Sequence, residues 1–137
     1  MKIETQITIH ATPKKVWKIL TDFERYPQWN PFIKSIEGKV AVGNRIKISL
    51  PDMKFNPRVL VFEENKELKW LGQLLFKGVF DGEHRFLLEE LPNGDTIFKH
   101  SEAFSGILVP LFKSNLEKNT TAGFEAMNQQ LKIQAES

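Results

Sequence analysis

Residues 106–136 read GILVPLFKSNLEKNTTAGFEAMNQQLKIQAE, the one run in this chain long enough for a dominant helix. Ser105 can cap its start, and Pro110 falls in the first turn, where a missing N–H does no harm. On a wheel advancing about 100° per residue, Leu108, Phe112, Leu116, Gly123, Met127 and Leu131 share one broad face. Ser114, Glu117, Lys118, Thr121, Glu125 and Lys132 take the other. A helix of ~29 residues would run roughly 43 Å, too long to bury against a hairpin. It needs a partner as wide as a whole curved sheet.

The residues upstream offer that partner. From Ile33 onward apolar residues recur with period 2, giving strand candidates at Ile33–Val40, Arg45–Leu50, Arg58–Glu63, Glu67–Leu75, Gly82–Leu91 and Thr96–Phe104. Gly43-Asn44, Pro51-Asp52, Glu64-Asn65, Gly78 and Pro92-Asn93-Gly94 separate them, all turn chemistry. Short turns between consecutive strands imply an antiparallel meander. Pro57 confines the start of its strand to an edge or bulge. Lys2–Ile9 alternates as well, with Ile3, Ile7 and Ile9 as its apolar points. Between that first strand and the meander, Thr12-Pro13 starts a short helix to about Thr21. Asp22 can cap a second piece, Phe23 to Tyr26, which Pro27 should end.

One turn sets a register. Pro92-Asn93-Gly94 suits a three-residue hairpin loop, a type I turn followed by Gly94 in the left-handed bulge position. Leu91 then opposes Asp95, which places His84 opposite Glu102, Phe86 opposite His100 and Leu88 opposite Phe98. These residues and Phe104 should share the inner face, with Arg85, Glu89, Lys99 and Ser101 turned to solvent. A four-residue loop would flip one strand and break the pairing.

Composition narrows the function. Lys and Arg total 19 against 17 Asp and Glu, a net charge of +2, and no long basic cluster appears, so a nucleic-acid partner is not expected. Cysteine is absent, which excludes disulfides, thiolate metal sites and a cysteine nucleophile. The opening MKIETQITIH alternates polar and apolar residues and lacks the apolar core of a signal peptide. No apolar run reaches the ~18–20 residues of a membrane span. The expectation is a single domain over residues 1–137, soluble and cytoplasmic, a monomer or weak dimer with no integral membrane segment. Eleven Phe and three Trp against one Tyr supply large apolar area with few polar handles, as suits a big core or a greasy cavity.

Two stretches resemble a known family: ATPKKVWKILTDFERYPQWNPFI (residues 11–33) and FDGEHRFLLEELPNGDTIFKHSEAFSGILVPLF (residues 80–112). Together with the order strand, two short helices, six strands, long helix, they resemble the helix-grip superfamily, which includes START lipid-transfer domains, the birch-pollen allergen group and polyketide cyclase/dehydratase-like proteins. The likeness is to the bacterial polyketide-cyclase branch and covers essentially the whole chain. It implies an α+β fold in which a seven-stranded curved antiparallel sheet wraps the C-terminal helix, leaving a cavity for an apolar ligand. The cavity wall so implied includes Trp70, Phe86, Phe98, Phe104, Phe124 and Met127, which would otherwise be ordinary core. In that family the two short helices sit at one end of the cavity, so Trp29 and Phe32 would line, gate or plug it. Shared fold does not fix chemistry.

The sharpest polar feature is the expected pair of His84 and Glu102, with His100 close by, inside an apolar face. Such a pair can anchor a ligand, act as general acid and base in a cyclase or dehydratase, or merely satisfy its own hydrogen bonds. His84, His100 and Glu102 offer two nitrogens and one oxygen, but no HExxH-type motif accompanies them and His10 lies near the end of another strand, so neither metal nor cofactor is expected. On the helix, Leu116 faces inward, Asn119 interrupts the apolar face and Gln130 follows it. Gly123 either leaves room for a ligand or packs closely against an aromatic such as Trp70. Met53, Phe55 and Phe76 fall in two loops that can form a cavity lip. No GxSxG elbow, P-loop or dinucleotide fingerprint occurs. The sequence thus favours binding or transport of a small hydrophobic ligand (lipid, isoprenoid or polyketide-like). The alternatives are a cyclase/dehydratase enzyme and a quinone- or protein-binding chaperone-like module.

Overall fold

Alternation and turn chemistry generate eight strands in the computed structural model, which describes residues 1–74 and 76–137. β1 (Lys2–Ile9) leads into α1 (Pro13–Leu20), a 3-10 turn (Phe23–Arg25) and α2 (Tyr26–Trp29). Thr12 caps α1, its hydroxyl accepting from the Lys15 amide at 3.3 Å, with Pro13 in the first turn. Pro27 does not end the second helical piece as expected. It lies in the first turn of α2, where a helix misses no N–H, and the 3-10 turn before it supplies the start. The Tyr26 hydroxyl donates to the Leu20 carbonyl and ties the two helices together.

The remaining strands are β2 (Ser35–Glu37), β3 (Lys47–Ser49), β4 (Lys54–Phe55), β5 (Arg58–Glu63), β6 (Glu67–Leu74), β7 (Phe80–Glu90) and β8 (Thr96–Ser105). Leu75, the expected last residue of β6, lies outside the described residues. The strands form two antiparallel sheets, β1-β8-β7-β6-β5 and β2-β3-β4, and an isolated Arg45–Arg58 bridge ties the segment before β3 to the start of β5. Seven strands in one sheet were expected; eight in two are found. The additional strand is β4: the turn at Pro51-Asp52 closes with Leu50 N donating to Met53 O at 2.8 Å, which returns two residues antiparallel to β3 before Pro57. Dividing the sheet is one way to let it curve around a helix.

The β7–β8 register is the expected one. Leu91 N donates to Asp95 O at 2.8 Å, Gly94 N donates to Leu91 O at 2.9 Å, and Gly94 takes φ +90°. His84 faces Glu102, Phe86 faces His100 and Leu88 faces Phe98. On the outer face Lys99 reaches Glu89 at 3.0 Å.

The C-terminal helix spans 28 residues in three parts: α3 (Val109–Asn115), a π-helical segment (Leu116–Thr120) and α4 (Thr121–Glu136). Ser105 does not cap it; it ends β8, and Leu108 is the capping residue, with no side-chain hydrogen bond. Gly106 intervenes at φ +122°, pressed against the Val79 carbonyl, where any side chain would collide. The π segment carries more residues per turn than an α-helix, so it rotates the face that follows. In α4 the buried residues are Phe124, Met127, Asn128, Leu131 and Ala135, while upstream only Val109 is buried and Phe112 is 43% exposed. The single continuous face expected from Leu108 to Leu131 is therefore two faces offset from one another. α4 packs on β1, β8 and α1, and its Met127, Leu131 and Ala135 join Phe86, Leu88 and Phe98 of the sheet in the main core, while Phe124 packs with Ile3, Phe104 and Val109. Each such buried side chain contributes about 1.5–3 kcal/mol from burial.

Candidate functional site

The strip of sheet facing the helix divides into a packed half and an open half. In the packed half Phe86 and Phe98 stack at 5.7 Å, and Met127 and Leu131 of α4 fill the space above. The open half holds a cavity of about 510 Å³. Its sheet wall comes from Trp70, Gly72 and Leu74 on β6, Phe80, Gly82 and His84 on β7, and Glu102 and Phe104 on β8, in each case alternate residues. The small sheet adds Ile48 and Phe55, the helix adds Leu116, Asn119, Thr120 and Gly123, and the connector after α2 adds Phe32 and Ile33. Pro51, Asp52 and Met53, all exposed, join exposed Asn115 and Asn119 among the lining residues and form the rim.

Of the residues singled out in the sequence, Phe32, Trp70, His84, Glu102, Phe104, Leu116, Asn119 and Gly123 line this cavity. Trp29, Phe86, Phe98, His100, Phe124 and Met127 do not. Phe86, Phe98 and Met127 are absorbed by the packed half, and Trp29 rests edge-on against Tyr26 at 5.3 Å. Phe124 stacks on His100 at 3.9 Å and forms the partition between the halves. Asn119 is exposed at the rim, bonded to Asn115, rather than central to an apolar face. Gln130 is half-buried. Met53 and Phe76 are exposed as expected, at 38% and 76%, whereas Phe55 is half-buried and lies over Gly72, where an added Cβ would fall 3.3 Å from Phe55 Cδ2.

Two glycines shape the open half by letting side chains lie close against bare backbone. A Cβ on Gly123 would fall 2.5 Å from Phe32 Cδ1, so the aromatic against it is Phe32 rather than Trp70. Phe32 is delivered there by Asn30, whose side-chain carbonyl accepts from the Phe32 and Ile33 amides at 2.9 Å each. A Cβ on Gly82 would fall 2.2 Å from Glu102 Oε2, so the carboxyl lies directly over the bare backbone of β7. A glycine inside a strand often marks such a close approach, and that signal in the sequence points to Gly82.

Behind the cavity wall runs a continuous chain of polar groups. Glu102 Oε1 lies 3.0 Å from His84 Nδ1, His84 Nε2 lies 2.8 Å from His100 Nε2, and His100 Nδ1 lies 2.9 Å from Asn128 Oδ1. Asn128 Nδ2 donates to Thr5 Oγ1 at 2.9 Å, and Thr5 donates to the His100 carbonyl at 2.8 Å. The far end fixes the direction of every bond. A backbone carbonyl only accepts, so the Thr5 hydroxyl donates to it and accepts from the Asn128 amide. Asn128 Oδ1 therefore faces His100, whose Nδ1 carries a proton. A neutral His100 then has a bare Nε2, which accepts from His84 Nε2–H. One proton is left to be shared between His84 Nδ1 and Glu102 Oε1. Asn128 and Thr5, the anchors of this logic, are absent from the sequence reading.

Electrostatics agree with a charge-poor chain. Burial pulls His84 down to about 3. His100 is held well below the usual imidazole value by burial and then by the neighbouring His84, with the Asn128 bond opposing. Burial pushes the Glu102 carboxyl up to about 8. At neutral pH Glu102 thus carries the shared proton and donates it to His84 Nδ1. The His84 ring stacks on Trp70 at 4.8 Å, which fixes its plane. Of this chain of groups, Glu102 Oε2 is the atom left to the cavity: no hydrogen-bond partner for it is found among the described residues, and the side chain retains 18% of its exposure. His10, by contrast, is exposed and bonded to Asp95 in the β7–β8 turn at 2.8 Å. Among the described residues no group of three or more His, Cys, Asp or Glu is placed to hold a metal ion. No helix among them is long and apolar enough to cross a membrane.

Comparisons agree with this architecture. A hypothetical protein from Helicobacter pylori superposes with a TM-score of 0.83 at 16% identity, covering 98% of this chain and 88% of the other. A START superfamily protein from Mycobacterium smegmatis gives 0.77 at 21% identity, covering 98% and 97%. A putative protein of the dynemicin biosynthetic locus gives 0.77 at 18% identity, covering 99% of this chain but 47% of its own. At these identities the likeness is one of fold. No curated protein matches the sequence. The profile of one family, described as polyketide cyclase / dehydrase and lipid transport, matches residues 1–136. The chain belongs to that family, with the START-like helix-grip fold its sequence resembles.

Proposed function

We propose that this protein binds or carries a small hydrophobic molecule in the cavity between sheet and C-terminal helix. The observation that carries the reading is the cavity of about 510 Å³, walled mainly by aromatic and aliphatic side chains, with Glu102 Oε2 as an acceptor on its sheet wall. That combination, apolar walls with a few placed polar groups, is how small-molecule pockets are built, and the volume falls in their usual range. Family membership supports it, since the family's description includes lipid transport.

A cyclase or dehydratase reading draws support from one observation, the His84–Glu102 contact at 3.0 Å beside the open cavity. Yet both His84 ring nitrogens are engaged, one by Glu102 and one by His100, so an acid/base role would fall to Glu102. Binding requires nothing further of the histidines.

Native mass spectrometry of protein purified from cells, followed by organic extraction, tests the proposal, together with titration of the neutral fluorescent probe N-phenyl-1-naphthylamine. The expected result is a co-purifying apolar molecule or saturable probe binding, lost when Leu116→Trp fills the lumen. Absence of both, or probe binding unchanged in Leu116→Trp, would contradict it.

A further inference from the structure

The hydrogen-bond chain behind the cavity wall decides which kind of polar group a ligand can present to Glu102. This step rests on the binding reading above and specifies its chemistry. Working outward from the Thr5–His100 carbonyl bond, every proton in the chain is assigned, and the last lies between His84 Nδ1 and Glu102 Oε1. It is immaterial which of the two atoms holds it. With the proton on Oε1, Oε2 is the carbonyl oxygen of a carboxylic acid; with the proton on Nδ1, Oε2 belongs to a carboxylate. In both arrangements Oε2 accepts and does not donate. Rotation of the carboxyl to point a donor into the lumen would break the bond to His84 and leave a buried ring nitrogen bare.

We infer that the ligand carries a hydroxyl, phenolic or alcoholic, that donates to Glu102 Oε2, on an otherwise apolar body. A ketone, quinone or ester oxygen placed there would meet an acceptor with an acceptor. An ammonium group would bring a full charge into a lumen walled by Trp70, Phe104, Ile48 and Leu116, which is costly without further partners. Position supports the assignment: Oε2 lies against Gly82 on the sheet wall of the cavity, while the amides of Asn115 and Asn119 sit at the exposed rim and can solvate a ligand's other end.

The test compares three probes of similar shape: naphthalene, 1-naphthol and 1-acetylnaphthalene, each displacing N-phenyl-1-naphthylamine from the intact protein. Naphthol should bind about 2–13-fold more tightly than naphthalene, the worth of one buried hydrogen bond, and the ketone no more tightly than naphthalene. Glu102→Leu should abolish the naphthol preference while naphthalene still binds. Glu102→Gln should keep it, because its amide N–H replaces the donor to His84 and its oxygen still faces the lumen. Circular dichroism and thermal melts establish that both variants fold, and Gln alone decides the matter if Leu does not. Equal binding of all three probes, or a preference for the ketone, overturns the hydroxyl assignment while leaving the binding reading intact. If no probe of any kind binds, both fall together.

Discussion

Alanine at position 82 should destabilise the protein only while Glu102 is present. The Cβ of Gly82→Ala would lie 2.2 Å from Glu102 Oε2 and 3.3 Å from its Cδ, so the carboxyl has to retreat by about 1 Å to reach ordinary contact. Oε1 cannot follow and still hold its 3.0 Å bond to His84. The loss leaves a buried ring nitrogen unpaired, a cost of about 1–3 kcal/mol. Exchanging glycine for alanine within a strand returns about 0.5–1 kcal/mol. The balance is a destabilisation of up to about 2.5 kcal/mol, read from urea denaturation followed by circular dichroism. In a Glu102→Ala background the carboxyl is gone, and the same change should stabilise by about 0.5–1 kcal/mol. The double-mutant cycle should therefore give a coupling of about 1–3 kcal/mol. If Gly82→Ala has the same sign and size in both backgrounds, the carboxyl does not occupy the space the glycine leaves, and the reasoning about the cavity's polar atom fails.

Further expectations follow the same contacts. Gly123→Ala drives a Cβ to within 2.5 Å of the Phe32 ring, so it should destabilise by about 1–2 kcal/mol despite alanine's better helix propensity; with Phe32→Ala it should become neutral or stabilising, as chemical denaturation will show. Asn128→Ala removes the acceptor of His100 Nδ1 and the donor to Thr5, costing about 2–3 kcal/mol of stability by the same measurement. Stability should peak near pH 6.5. Glu102, ordinarily 4.5 but about 8 when folded, is protonated only in the folded state between those values, so its contribution is lost as pH rises through them. His84, ordinarily 6.5 but about 3 when folded, is protonated only in the unfolded chain between those values, so stability rises with pH there, and His100 acts in the same direction. Above the ordinary histidine value the Glu102 trend alone remains, a decline of about 1–2 kcal/mol toward pH 8. Glu102→Gln should remove that decline in melts recorded against pH.

The parts of the site legible in the sequence are those governed by local rules. Three residues, Pro92-Asn93-Gly94, carry the register, because a turn type fixes which residues oppose across a hairpin, and His84 meets Glu102 as a result. Asn128 was hidden by a non-local effect. A uniform wheel drew attention to Asn119 and Gln130, but the π segment from Leu116 to Thr120 rotates the later face, exposing Asn119 and burying Asn128 beside His100. Thr5 was equally hidden: on β1 it shares the face of Ile3, Ile7 and Ile9 as its one polar member, and its role depends on pairing with His100 on β8. The boundary between packed and open halves also escapes periodicity. Phe86 and Gly82 occupy the same face of one strand, and only the three-dimensional placement of Phe124 and Phe32 decides which of them borders empty space.

The central claim, that an apolar molecule enters this cavity, is tested most directly by NMR titration of nitrogen-15-labelled protein with N-phenyl-1-naphthylamine. The Trp70 indole N–H and the amides of Ile48, Gly82, Leu116 and Gly123 should shift together and saturate, while the packed core at Phe98 and Leu131 stays still. Shifts absent at high probe concentration, or confined to exposed Ile107, Leu111 and Phe112, would contradict the account.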